Sequence, residues 1–228
     1  MSELFSIQLQ NRQQQGGDGV WLDLPTTTEQ VQAALRQIGI SSDNPQGLFI
    51  SGYFAEEEKR FAIPYNMVLA SNVDELNFLA SRLETLSTGE RAELNAALQV
   101  PQSELSSIGR ITDFPENVDY YVHLPDVRGP AQLGDYYLNR SGMVDMPEEW
   151  KGGIDTAQFG RYVAQQEQGV FTEYGYLVKS GDEWQKVHEG QSVPEEYRVL
   201  SFPAPEILRD AANIPPPVQP ETEPQKVI

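Results

Sequence analysis

AQLGDYYLNRSGMVDMPEEWKGGIDTAQFGRYVAQQEQGVFTEYGYLV, residues Ala131–Val178, holds two helical patterns and then a strand, and its reading decides the fold class. Leu133, Tyr136, Tyr137 and Arg140 recur at helical spacing, and Gly142 follows where a helix end favours a left-handed residue. Asp145-Met146-Pro147-Glu148-Glu149 reads as a short acidic helical start, because proline and carboxylates suit the positive end of a helix. Asp155 is placed to cap the next helix, with Gln158 three residues on and Phe159, Tyr162 and Val163 as its buried stripe. Past Gly169, Phe171–Val178 is aromatic and β-branched enough to be a strand. Upstream, Tyr120–Leu124 reads as another strand, so this unit is β-α-α-β.

Leu4, Phe5, Ile7 and Leu9 open a strand, the polar loop Gln10–Gly19 follows, and Val20–Leu24 forms the next strand, stopping at Pro25. Thr26-Thr27-Thr28-Glu29 carries a capping-box pattern, Val31, Ala34, Leu35 and Ile38 share one helical face, and Gly39 ends that helix. Leu48–Phe54 is a third strand, making the first unit β-β-α-β. Glu56-Glu57-Glu58-Lys59-Arg60 reads as an exposed loop, since like-charge blocks are usually solvated. From Pro64 to about Ser107 the chain is helical, with capping boxes at Asn72/Glu75 and Ser87/Glu90. Leu76, Leu79, Leu83 and Leu86 make one apolar stripe, and Ala92, Leu94, Ala97 and Leu98 another. A Ser-Thr-Gly turn at residues 87–89 is expected to set the two helices antiparallel.

The expected architecture is α+β in consecutive parts: residues 1–66, a helical unit 67–112, an α+β unit 113–190 and a proline-rich tail 191–228. Eight of the 16 prolines fall in that tail, which therefore reads as largely extended or disordered, with Arg198–Phe202 and Glu206–Ala212 as its only regular segments.

Charge and composition narrow the chemistry. With 34 acidic against 16 basic residues the formal net charge is −18, which disfavours direct nucleic-acid binding and suits a basic partner. There is no cysteine, and so no disulfide or thiolate chemistry. No signal-peptide pattern and no apolar run of ~18 residues occurs, so a cytoplasmic location away from the membrane is expected. His123 and His188 lack metal-ligand spacing, and phosphate-loop, dinucleotide, GxSxG and HExxH motifs are missing. Glu148 and Glu149 point about 100° apart on a helix, which does not make an acid/base pair. Neither an enzyme nor a cofactor is expected. From Asp113 to Asp155 nine acids face three bases, Arg128, Arg140 and Lys151, and they recur along the whole segment.

The run LGDYYLNRSGMVDMPEEW, then IDTAQFGRYVA, then GVFTEYGYLV resembles the C-terminal part of the ArdA-type antirestriction proteins, and GVWLDLP with a helix after it resembles their N-terminal unit. The likeness covers roughly Leu4–Lys179. The sequence departs from the family pattern at Asn11-Arg12-Gln13-Gln14-Gln15, where a glycine-lysine-tyrosine stretch is usual, and at Gln158, Tyr162 and Val163, where acids are common. The resemblance implies an elongated DNA mimic encoded on a mobile element, one that occupies the methyltransferase core of a type I restriction–modification complex. It implies an acidic surface drawn from Asp74, Glu75, Glu84, Glu90 and Glu93 of the helical unit. Asp113, Glu116, Asp119, Asp126, Asp135, Asp145, Glu148, Glu149 and Asp155 of the next unit would continue it. It also implies a homodimer, with Leu133, Tyr136, Tyr137, Met143 and Val144 as candidate interface residues. An acidic scaffold module for some other basic, DNA-binding partner satisfies the same composition.

Overall fold

A computed structural model describes residues 3–14, 17–41, 47–56, 60–101 and 103–200. The expected α+β class is observed, as two three-stranded antiparallel sheets with eight α-helices among the described residues. Strands β1 (Phe5–Asn11), β2 (Val20–Leu24) and β3 (Leu48–Phe54) form the first sheet in the order β2-β1-β3. Alternation along β1 and β2 sends Phe5, Ile7, Leu9, Leu22 and Leu24 to one buried face. Helix α1 (Thr28–Gln37) packs on it through Val31, Ala34 and Leu35. Its capping box is one residue later than expected: Thr27 and Gln30 exchange the reciprocal bonds, while the Thr26 amide is taken by the Asn77 side chain, at 2.7 Å.

Helices α2 (Tyr65–Leu69), α3 (Val73–Leu83), α4 (Thr88–Gln99) and α5 (Ile108–Thr112) follow. The capping boxes at Asn72/Glu75 and Ser87/Glu90 are both formed. Ser87-Thr88-Gly89 is therefore the first turn of α4 and not the connection, which falls at residues 84–86. The apolar stripes of α3 and α4 join the sheet in one cluster of buried residues that continues through Phe114, Tyr120, Tyr121 and Leu177 to Val199.

Two 3-10 turns, Phe114–Glu116 and Val118–Tyr120, lead into β4 (Tyr121–Leu124). Helices α6 (Pro130–Asn139), α7 (Glu148–Lys151) and α8 (Thr156–Glu167) precede β5 (Val170–Thr172) and β6 (Gly175–Lys179), and the second sheet is ordered β4-β6-β5. The single strand expected over Phe171–Val178 is thus a hairpin. Thr172 Oγ1 accepts from the Tyr174 amide (3.1 Å) and donates to the Gly175 carbonyl (2.8 Å), and Gly175 has φ +135°, which together reverse the chain. Gly142 is left-handed as expected, with φ +70°.

Helices α6 and α8 touch backbone to backbone. A methyl group at Gly134 would run into the Thr156 carbonyl, and one at Gly160 into the Pro130 carbonyl and the Gly134 amide. Around them Val127, Leu133, Val163 and Tyr176 form a second, smaller core, with Phe159 and Tyr137 against it. Tyr162, expected in the buried stripe, is 60% exposed, because the contact side of α8 is set by Gly160 and Val163.

After β6 the chain returns across the middle helices. Asn117 exchanges two hydrogen bonds with the Gln185 backbone (2.7 and 3.0 Å), Trp184 packs edge-on to Tyr120, and Phe78 lies between the rings of His188 and Tyr197. Residues 191–200, expected as the start of a loose tail, are part of this return segment: Glu195–Tyr197 is a 3-10 turn and Val199 is buried. Arg198, Val199 and Leu200 are not in a strand, and the remainder of the tail, with Phe202 and Glu206–Ala212, lies outside the described residues, as do Glu57, Glu58 and Lys59. Among the described residues no helix is long and apolar enough to cross a membrane.

Candidate functional surface

The carboxylates singled out in the sequence divide by what lies over them. Asp126, Asp145, Glu149 and Asp155 stand exposed around α6, α7 and α8, and no ion pair among the described residues engages them. Asp155 also accepts from the amides of Ala157 and Gln158 (2.9 and 3.0 Å), so one carboxylate both caps α8 and faces solvent. Asp135, half-buried, and Glu148, exposed, are neutralised locally, by Arg140 at 2.9 Å and Lys151 at 2.6 Å. The hydrogen bond from Asn139, and then the Arg140 charge, hold the Asp135 carboxyl below its ordinary value.

The middle helices behave differently. Asp113 is fully buried, which removes it from any surface: its two oxygens accept from the backbone amides of His188 (2.6 Å) and Glu189 (3.3 Å). Asp74 is half-buried, with one oxygen accepting from both Val199 and Leu200 amides, at 2.7 and 2.8 Å. Glu93 is also half-buried, and one of its oxygens is enclosed without a hydrogen-bond partner among the described residues. Burial, reinforced by the charges of Glu90 and Asp119, pushes its carboxyl up to about 8, so at neutral pH it is mostly protonated and adds little charge. Glu90 is held below its ordinary value by the Ser87 hydrogen bonds that cap α4, and Glu75 is exposed in the corresponding box of α3. Glu84 is half-buried, and Glu116 pairs with Arg82.

One acidic grouping was not read from the sequence. Glu116 and Asp119, from the 3-10 turns, line a cavity of about 390 Å³ with Asp182 and Glu183 of the return segment. The second pair lies more than 60 residues along the chain, past the last strand, and no periodicity connects them.

Of the residues proposed for dimerisation, Leu133 is fully buried and belongs to the core. Tyr136, Tyr137 and Val144 are half-buried and Met143 is 76% exposed. Tyr136, Tyr137 and Met143 line a groove of about 400 Å³ together with Val122 of β4, which is an edge strand. Tyr137 and Tyr176 both donate to Glu167, which fixes the floor of the groove. His123 Nε2 is taken by the Tyr174 carbonyl at 2.9 Å, and no group of three or more His, Asp or Glu side chains among the described residues is arranged to hold a metal ion.

No curated protein matches the chain. A family model described as antirestriction protein (ArdA) matches residues 17–178, well over half of the 228-residue sequence, and takes in every described strand but β1, all eight helices and the exposed carboxylates of the C-terminal unit. The two glycines of the α6–α8 contact, Gly134 and Gly160, lie within the matched residues, while the return segment lies beyond them. The chain belongs to the ArdA family of antirestriction proteins, non-catalytic inhibitors that act on restriction–modification systems.

Proposed function

We propose that the chain inhibits restriction as a DNA mimic, occupying the DNA-binding site on the methyltransferase core of a type I restriction–modification complex in the cytoplasm. Family membership supports the antirestriction role. The observation that carries the mimicry is the set of solvent-facing carboxylates without ion pairs among the described residues, Asp119, Asp126, Asp145, Glu149 and Asp155, spread over the C-terminal unit. Duplex DNA presents one charge per ~1.7 Å of axis, and a protein surrogate needs carboxylates strung over a face and not gathered in one pocket. The mechanism needs no bond making: carboxylates take the place of phosphates against lysine and arginine side chains of the target. Two copies joined along the β4 edge and the Tyr136–Met143 groove would lengthen the charged face.

The test is inhibition of a purified type I enzyme by a variant carrying Asp119→Asn, Asp126→Asn, Asp145→Asn, Glu149→Gln and Asp155→Asn, the last keeping a capping oxygen on α8. Exposed charge pairs contribute about 0.2–1 kcal/mol each, so the combined loss is ~1–5 kcal/mol, with competition by duplex DNA weakened in step. Wild-type potency in the folded variant would remove this surface from the mechanism.

A further inference from the structure

Helices α1 and α3 pack against β2 of the N-terminal sheet and α2 against β3, and Phe5, Ile7, Leu9, Leu22 and Leu24 mark its buried face. Strand register places Trp21, Gln8 and Gly52 in one row across the opposite face, and Asp23, Ser6 and Phe54 in the next. Trp21 is 49% and Phe54 58% exposed, large values for aromatic side chains, and they stand on the two outer strands with β1 between them. The indole of Trp21 reaches from β2 over Gln8 as far as β3, where a Cβ on Gly52 would lie 3.0 Å from the ring. Its centroid is 6.5 Å from that of Phe54 with the planes 75° apart, so the two rings form adjacent walls of an open corner. Asp23, exposed beside them, is oriented by the Ser6 hydroxyl at 2.6 Å. Glu3 and Glu56 line a small cavity together with Ser6 and Phe54.

The same face already shows what suits it. Phe49, paired with Gln10 further along, is covered by the guanidinium of Arg12 at 5.2 Å from the ring centre. No cation covers Trp21 or Phe54 among the described residues. Aromatic faces carry negative potential, and a planar guanidinium stacks on them while its N–H groups fork toward a carboxylate. Nucleic acid would also stack on such rings, but the carboxylate beside them repels its phosphates.

We propose that this open face is a docking surface for arginine side chains of a protein partner, with Trp21 and Phe54 as the walls of the seat and Asp23 as its counter-ion. The surface is separate from the C-terminal carboxylates and holds whether or not they act as phosphate surrogates.

The experiment titrates the full chain with a seven-residue oligoarginine peptide, and in parallel with oligolysine of the same length. The Trp21 indole N–H resonance is followed, assigned by its loss in Trp21→Phe. Oligoarginine should shift that resonance and bind more tightly than oligolysine. Trp21→Ala and Phe54→Ala, each checked for an unchanged melting temperature, should weaken oligoarginine about tenfold, and Asp23→Asn about threefold. An unmoved indole resonance on saturation, equal binding of the two peptides, or wild-type affinity in both aromatic variants would overturn the proposal by assigning the binding to general acidity. Should Trp21→Ala not fold, the resonance in the wild-type chain still decides the matter.

Discussion

The middle helices and the C-terminal unit are both rich in acids spaced along helices and turns, yet the two regions use them in opposite ways. Around α6–α8 the carboxylates of Asp126, Asp145, Glu149 and Asp155 look outward. On α3, α4 and the turn after α5, Asp74 and Asp113 point under the returning chain and Glu93 is enclosed and largely uncharged. Residue type and spacing do not separate the two cases. What separates them is that residues 180–200 cross the first region and not the second, offering backbone amides that need acceptors. A carboxylate accepting two buried amides is a structural fastener, and only one facing solvent is available to stand in for a phosphate.

The largest expected effect breaks that contrast at Asp113. Asp113→Ala leaves two buried amides unmet, and hydrogen bonds to a charged acceptor contribute about 1.5–3 kcal/mol each, so a loss of ~4 kcal/mol is expected. That is a fall in melting temperature of roughly 8–16 °C for a chain of this size, against a change within ~2 °C for Asp126→Asn, both read by circular dichroism. Equal melting points would mean that the return segment is not held by this side chain. Next in size is Gly160→Ala. In an exposed helix that change would gain about 1 kcal/mol of propensity, but here the methyl meets the Pro130 carbonyl, and overpacking of this kind costs ~1–3 kcal/mol, so the melting point should fall. A rise would show that the helices separate without cost.

The smallest effect is a pH dependence that sharpens the contrast. Because the folded-state value of Glu93, about 8, lies above its ordinary 4.5, folding favours the protonated carboxyl. Its contribution to stability is complete below the unfolded value and is lost as pH rises through about 8. Glu93→Gln should therefore be neutral near pH 5 and stabilising near pH 9. The gain is on the order of 1 kcal/mol after allowance for partial exposure, or ~2–4 °C. Thermal melts of the variant and wild type at the two pH values check it, and parallel curves would place Glu93 in water.

Much of the architecture was legible in the sequence, for identifiable reasons. Val20–Leu24 and Leu48–Phe54 announce themselves by alternation and flanking turns, and Asn72/Glu75 and Ser87/Glu90 by a spacing that satisfies free amides at short range. The ambiguity among three consecutive threonines was resolved only by Asn77, 51 residues away, which takes the Thr26 amide. The hairpin at Thr172–Gly175 was hidden because its strands are aromatic on both sides of the turn. The return segment left no pattern at all. It is attached through Asp74, Asn77, Asp113 and Asn117, polar side chains that bond distant backbone, and such contacts carry no period. The same reason kept Asp182 and Glu183 from being joined to Glu116 and Asp119. The family resemblance put Asp113 and Asp74 in one set with Asp126 and Asp155, without separating buried carboxylates from exposed ones.

The glycine contact between α6 and α8 has a further consequence for anyone wishing to re-space the charges those helices carry. Where two helices are separated by side chains, trimming or enlarging one of them adjusts the gap by degrees. Here backbone already lies on backbone, so there is no dial to turn: the interval between Asp135 on one helix and Asp155 at the head of the other is gauged by peptide groups alone. Letters can be exchanged on the outside of this block, but the ruling on which they are written is fixed.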